Sequence, residues 1–189
     1  MKRTTLITLL FYCVTFTATA QSAATYTVDK TKSTINWVAK KVVGGHEGTI
    51  NIKEGTVNVS DNKVTGGSFV IDMPSLKCTD AERLTGHLKN EDFFDVEKFP
   101  TSTFVITKID HTKKEPIITG KLTIKGITKD ISFPASLSAN DTKVEAKATV
   151  KVNRLDYDIR YRSSSFFADL GNRAIEDQFT LNISLTATK

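Results

Sequence analysis

The sequence predicts an all-β fold, an eight-stranded antiparallel barrel with one short helix, and three observations carry that expectation. Apolar and polar residues alternate strictly over long stretches, turn-forming residues separate those stretches, and only one segment changes to helical spacing. Alternation places every second side chain on one face of a strand, so each such stretch has one face to bury.

The chain begins with a segment unlike the rest. Lys2 and Arg3 precede an uncharged apolar run from Leu6 to Phe16 and then Ala18-Thr19-Ala20, the pattern of a secretory signal peptide over residues 1–20. The run is too short for a permanent span, and no later stretch reaches the roughly 20 apolar residues a span needs. The residues before Cys13 are too bulky for a lipoprotein cleavage site. The expected mature protein is one periplasmic or secreted domain, residues 21–189, with no transmembrane segment.

In that domain Cys78 is the remaining cysteine. It has no intramolecular partner, and the expectation is a small buried apolar residue. Basic residues number 26 against 21 acidic, falling to 24 against 21 without Lys2 and Arg3, a formal excess of +3. So small an excess, with the two signs interspersed, describes a solvated surface and does not support nucleic-acid binding.

Weaker alternation occurs at Ile35-Trp37-Ala39, Ile50-Ile52, Val57-Val59 and Phe69-Ile71, and again at Phe104-Ile106, Leu122-Ile124 and Ile127-Ile131-Phe133. Between these stretches lie Gly44-Gly45, Ser60-Asp61-Asn62, Lys113 to Pro116 and Asn140-Asp141, which suit the turns of antiparallel hairpins. The exception is Thr79 to Asn90, where Ala81, Leu84 and Leu88 fall at helical spacing and Thr79 with Glu82 forms a capping box.

The two clearest strands come last. Val144, Ala146, Ala148, Val150 and Val152 alternate with Glu145, Lys147, Thr149 and Lys151, and Phe179 to Ala187 repeats the pattern. A sandwich or a closed barrel would bury such faces. Ala146 and Ala148 leave room on an inward face, as in barrels that hold one small ligand. Trp37 or one of the phenylalanines filling that room is the competing expectation.

Chemistry-bearing motifs are absent. His111 sits in a polar turn, His46 in a glycine-rich loop with no second ligand at a suitable spacing, and His87 at the helix end; none matches a zinc spacing. There is no Gly-x-Ser-x-Gly elbow, and Ser163-Ser164-Ser165 has no base in sequence reach. The expectation is therefore no catalytic residue, no metal and no cofactor. Arg83 and His87, four residues apart on the helix, share a face beside Phe93 and Phe94, an arrangement suited to the end of a barrel. Pairing of Arg83 with Asp80 or Asp92, with the phenylalanines capping the core, fits equally well.

The stretch Arg83 to Pro100, with His87-Leu88, Asp92-Phe93-Phe94-Asp95 and Phe99-Pro100, resembles the signature of the YceI-like family of lipid-binding proteins. Gly120-Lys121-Leu122-Thr123 through Thr128, Val28-Asp29 with Ser33 and Trp37, and Arg154 to Tyr161 add to the resemblance. One departure is that Leu84 and Thr85 follow Arg83, where family members often carry an acid. The resemblance implies a lipocalin-like barrel that binds, and transports or stores, a polyisoprenoid, isoprenoid quinone or similar long-chain lipid without catalysis.

Parity and the matched segments nominate Trp37, Phe69, Phe93, Phe94, Phe104, Ala146, Ala148 and Phe167 for the cavity lining. Arg83, His87 and Arg154 are nominated for the mouth or the lipid head group. The chain neither demands nor excludes a homodimer. A secreted interaction module with a solid barrel, using loops near Gly44 to Gly48 and Ser163 to Gly171, and a lipid-modifying enzyme using His87 remain as alternatives.

Overall fold

The computed structural model describes residues 23–189; residues 1–20, including the expected signal peptide, lie outside that range. Nine strands form one sheet: β1 (Ala23–Val28), β2 (Thr34–Lys41), β3 (Gly45–Ser60), β4 (Lys63–Cys78), β5 (Thr101–Asp110), β6 (Ile117–Ile124), β7 (Ile127–Ala139), β8 (Lys143–Asn153) and β9 (Ile175–Thr188). Each strand from β2 to β9 pairs antiparallel with the next, and β9 returns to β2, so the sheet closes. Closure removes the free edges an open sheet would present.

The barrel has eight positions because β1 and β2 share one. β1 pairs with the far half of β3 (Tyr26 opposite Val57) and with the end of β9 (Val28 opposite Ala187), while β2 takes the near half of β3 and the rest of β9. The break between them is a turn built on Asp29. Its carboxylate accepts from the Thr31 hydroxyl at 2.7 Å and from the backbone N–H of Thr31 at 3.0 Å and Lys32 at 3.3 Å.

Every expected strand is present, and its inward parity is as the alternation requires. Asp61 and Asn62 (φ 51° and 56°) make the two-residue turn between β3 and β4, and Lys125 and Gly126 (φ 50° and 74°) make that between β6 and β7. Positive φ at both central positions matches the twist of the flanking strands.

The helix, α1 (Glu82–Lys89), lies within the segment whose spacing predicts it, with Leu88 buried. The capping box does not form. Ala81 occupies the cap position, while the Thr79 hydroxyl donates to the Glu47 carbonyl at 3.2 Å. Strand β3 thus takes the group that local sequence assigns to the helix. β3 also begins at Gly45, so His46 and Gly48 belong to a strand and not to a loop. His111 is anchored as well, with Nε2 2.9 Å from the Val64 carbonyl oxygen.

Candidate functional site: a barrel cavity under a two-part lid

The two ends of the barrel are built differently. At one end the strands are joined by the Asp29 turn, Asp61-Asn62, and the loops at 111–116 and 140–142. There Val144 and Ala187 are fully buried, and the Tyr26 hydroxyl donates to the Asn140 carbonyl at 2.7 Å. At the other end two long excursions fold over the opening, one comprising α1 and residues 90–100 and the other residues 154–174.

The first excursion is held by local backbone bonds. The Asn90 carbonyl accepts from Phe93 N–H at 3.2 Å and Asp95 N–H at 2.8 Å, and the Val96 N–H donates to Lys89 O at 2.8 Å. These bonds seat Phe93 and Val96 inside. His87 joins the two excursions: its ring meets Phe93 and Tyr161 edge-on, with centroids 5.0 Å and 4.8 Å away, and Nε2 lies 2.9 Å from Asp92.

Between the two ends lies a cavity of about 220 Å³. Ile175 and Leu185 on β9 both line it, and ten residues at about 3.3 Å each, tilted by about 40°, span roughly 25 Å of the axis. The cavity is therefore long and narrow and runs along the barrel axis. Its aliphatic and aromatic lining is interrupted by charged or hydroxyl side chains only at Ser102, Arg154 and Glu176. All three sit at the lid end: Ser102 is the second residue of β5, Arg154 follows β8, and Glu176 is the second residue of β9.

Trp37, Phe69, Phe93, Phe94, Phe104, Ala146 and Ala148 all line the cavity. Ala146 and Ala148 face empty space at mid-barrel, whereas Val144, Val150 and Val152 on the same face of β8 are almost completely buried. Phenylalanine does fill part of the interior. Phe69, Phe104 and Phe133 form a layer with centroids 6.4 Å and 5.6 Å apart. Room for that layer comes from glycine, since a Cβ on Gly120 would lie 2.6 Å from the Phe104 ring and one on Gly55 2.8 Å from Phe69.

One nominated lining residue is corrected. Phe167 is half exposed and outside the lining, because the Ser163 carbonyl ties both Phe166 and Phe167 into a surface turn; the Arg160 guanidinium lies 4.6 Å from the Phe166 ring centroid. Arg154 reaches the cavity edge, yet its guanidinium is committed to the lid. It donates to the carbonyls of Ile159 (2.8 Å), Tyr161, Ile175 and Glu176 (each 3.0 Å) and to Asp177 Oδ1 (3.3 Å). Burial lowers the Arg154 pKa from its ordinary value, and Asp177 opposes that shift.

Arg83 is solvent-exposed on α1, and both acids available for pairing are engaged elsewhere, Asp80 with His46 and Asp92 with His87. Neither Arg83 nor His87 lines the cavity. Sequence spacing misses a further cluster at the root of α1, where His46, Cys78 and Asp80 converge. Cys78 is buried as expected. Burial and the Asp80 carboxylate push its thiol pKa up, and the Cys78 hydrogen bond is the main cause of a lowered Asp80 pKa.

A model of the YceI-like domain matches residues 26–187. This chain belongs to the YceI-like family. Curated relatives include UPF0312 proteins of Photorhabdus laumondii (30% identical over 67% of this chain) and Yersinia enterocolitica (27% over 97%). The matched stretch spans 63% of the Photorhabdus protein, less than two thirds of its length, and 97% of the Yersinia protein.

Solved structures share the fold. Burkholderia cenocepacia BcnA aligns with a TM-score of 0.70 at 22% identity, covering 85% of this chain and 99% of its own. A polyisoprenoid binding domain from Saccharophagus degradans aligns at 0.63 and 15%, covering 86% and 97%. The Campylobacter jejuni YceI protein aligns at 0.55 and 20%, covering 100% and 99%.

Proposed function

We propose that this YceI-like protein is a non-catalytic carrier or store for one long-chain apolar amphiphile of the isoprenoid type. Its tail runs toward the turn-closed end and its polar group lies under the lid. The observation that supports this reading is the cavity itself: a narrow, continuous apolar channel whose charged and hydroxyl-bearing lining residues are confined to one end. The Saccharophagus domain of the same fold, described as polyisoprenoid binding, is consistent with it.

Each CH₂-sized group buried contributes about 0.8 kcal/mol before the cost of immobilising the chain. Affinity on this reading rises with chain length until the channel is full. The Trp37 indole N–H, buried without a protein partner in a residue that lines the channel, is free to donate to a ligand oxygen.

Non-catalytic binding is favoured because two of the three polar side chains at the lid end are already engaged. The Ser102 hydroxyl donates to the Met73 sulfur at 3.1 Å, and Arg154 serves its carbonyls. The pattern of residues 1–20 supports export, in keeping with a carrier in a periplasmic or secreted setting.

Native mass spectrometry of the purified protein, followed by organic extraction, tests the proposal. It should reveal one bound long-chain lipid per chain, and Ala148→Phe, which fills the channel, should return the bare mass. A bare mass for the unaltered protein under conditions that preserve bound lipid would overturn the reading.

A further inference from the structure

Where β3 starts and β4 ends, three side chains of different chemistry meet outside the cavity. Pairing of Gly48 with Cys78 fixes the register, and the Thr79 N–H donates to the Glu47 carbonyl at 2.9 Å, so His46 comes to lie beside Asp80. His46 Nδ1 is 3.2 Å from Asp80 Oδ2, and the Cys78 thiol donates to Asp80 Oδ1 at 3.0 Å. One ligand atom from each residue falls within 4.8 Å of the other two. A chain that merely buried Cys78 would have no need of an imidazole and a carboxylate at this point.

We propose that His46, Cys78 and Asp80 form a binding site for a zinc-class divalent cation, with a fourth position open to solvent. An imidazole nitrogen, a thiolate and a carboxylate are the donor types such an ion takes, and in a tetrahedral complex their separations are roughly 3.3–3.6 Å. The Asp80 carboxylate already meets His46 through Oδ2 and Cys78 through Oδ1, so a small rotation presents one oxygen to the ion, and no pair closes by more than about 1.5 Å. Access comes from the histidine and aspartate side, where the side chains are 28% and 41% exposed, while Cys78 forms the floor at 1%.

The second layer is partly in place. The Glu47 N–H donates to Asp80 Oδ1 at 3.3 Å, which orients the carboxylate. Lys41 Nζ lies 3.2 Å from His46 Nε2. Its ammonium is a donor only, so in this arrangement the imidazole proton belongs on Nδ1. Binding a cation at Nδ1 moves that proton to Nε2 and turns Lys41 out toward solvent, and the Cys78 thiol releases its proton to solvent as the sulfur–metal bond forms. Asp80 stands two residues before α1, so an ion here ties the first turn of the lid to β3 and to the end of β4. The site is independent of what the cavity holds.

The test is titration of the full, untagged chain with Co(II) and with Zn(II). One Co(II) per chain should bind with a thiolate-to-cobalt charge-transfer band, and equimolar Zn(II) should abolish that band. Cys78→Ser should lose the band, and His46→Ala and Asp80→Asn should each weaken binding by at least about tenfold. Lys41→Gln, which offers Nε2–H a carbonyl, should tighten it. Hydrogen exchange of α1 should slow when Zn(II) is added to the unaltered protein. Absence of a thiolate band in the unaltered protein, or Zn(II) affinity unchanged in both His46→Ala and Asp80→Asn, overturns the proposal. Since the decisive band is read on the unaltered chain, a variant that fails to fold does not rescue or sink it. Lipid content measured on the same samples shows separately whether the carrier reading stands.

Discussion

The two ends of this barrel solve the problem of closure with opposite materials. At the turn-closed end, ladder bonds continue almost to the last residue of each strand, and small or branched side chains such as Val59 and Ala187 are almost completely buried. At the lid end closure is delegated to residues 79–100 and 154–174, whose backbone bonds are mostly local and which tie back to the barrel through a few bonds, such as Thr79 N–H to the Glu47 carbonyl, Met73 N–H to the Pro100 carbonyl and Val42 N–H to the Ala174 carbonyl. Segments of the second kind open with free energies well below that of the whole domain. A ligand could therefore exchange at the lid end while the other end stays shut, and a barrel with two turn-closed ends would have no comparable gate.

Breaking that contrast at its strongest point means removing Arg154. Its five hydrogen bonds join residues 159–161 to 175–177, and replacing it with Met takes the guanidinium donors from four carbonyls, that of Ile159 buried and the other three partly buried. A loss of about 3–5 kcal/mol is expected from equilibrium unfolding in urea. A loss below about 1 kcal/mol would show that the lid is braced elsewhere.

A matched pair of substitutions then compares cavity with packed core. Ala187→Phe meets fully buried surroundings at the closed end and should cost about 1–3 kcal/mol or more through overpacking. Ala148→Phe enters the channel, so its cost should be smaller by about 1 kcal/mol or more while bound lipid disappears. Equal losses in the two unfolding curves would mean that the space beside Ala148 collapses in solution.

The same contrast explains what the sequence discloses. Period-two alternation reads directly into inward parity, which is why the barrel strands, Ala146 and Ala148 are legible from residues alone. Side chains on the excursions carry no such parity: Phe93 and Phe167 look alike in sequence, and only the bonds to the Asn90 and Ser163 carbonyls send one inward and the other to the surface. Arg154 reads as a mouth cation because nothing local reveals the carbonyls it serves 21 and 22 residues away. The His46, Cys78 and Asp80 cluster depends on the pairing of β3 with β4, a long-range register invisible to motif spacing. Thr79 fails as a cap for the same reason, since Glu47 comes from that neighbouring strand.

The smallest effects expected are titrations, and they separate the two ends by pH. Tyr157, under the lid, has its pKa raised from 10 to about 12, chiefly by burial, and its hydroxyl has no partner among the described residues. A raised folded pKa means that stability is complete below pH 10 and is lost as pH climbs toward 12. Tyr157→Phe should remove that alkaline loss and leave neutral-pH stability unchanged or slightly higher, because no hydrogen bond is broken; a marked loss at neutral pH would reveal a partner for the hydroxyl.

Asp29, in the turn at the opposite end, behaves in the reverse sense. The Thr31 hydroxyl, then Lys32, hold its carboxyl down from 3.8 to about 2. A lowered folded pKa means that its contribution is present above pH 3.8 and disappears as pH falls through about 2. The carboxyl is partly exposed, so the effect is small and is best read as a difference between the acid-unfolding profiles of Asp29→Asn and the unaltered chain. The unaltered chain should be the more stable at neutral pH, with the two profiles converging only below pH 3.8. Profiles that already coincide at neutral pH would show that the turn joining β1 to β2 is held by its ladder bonds alone.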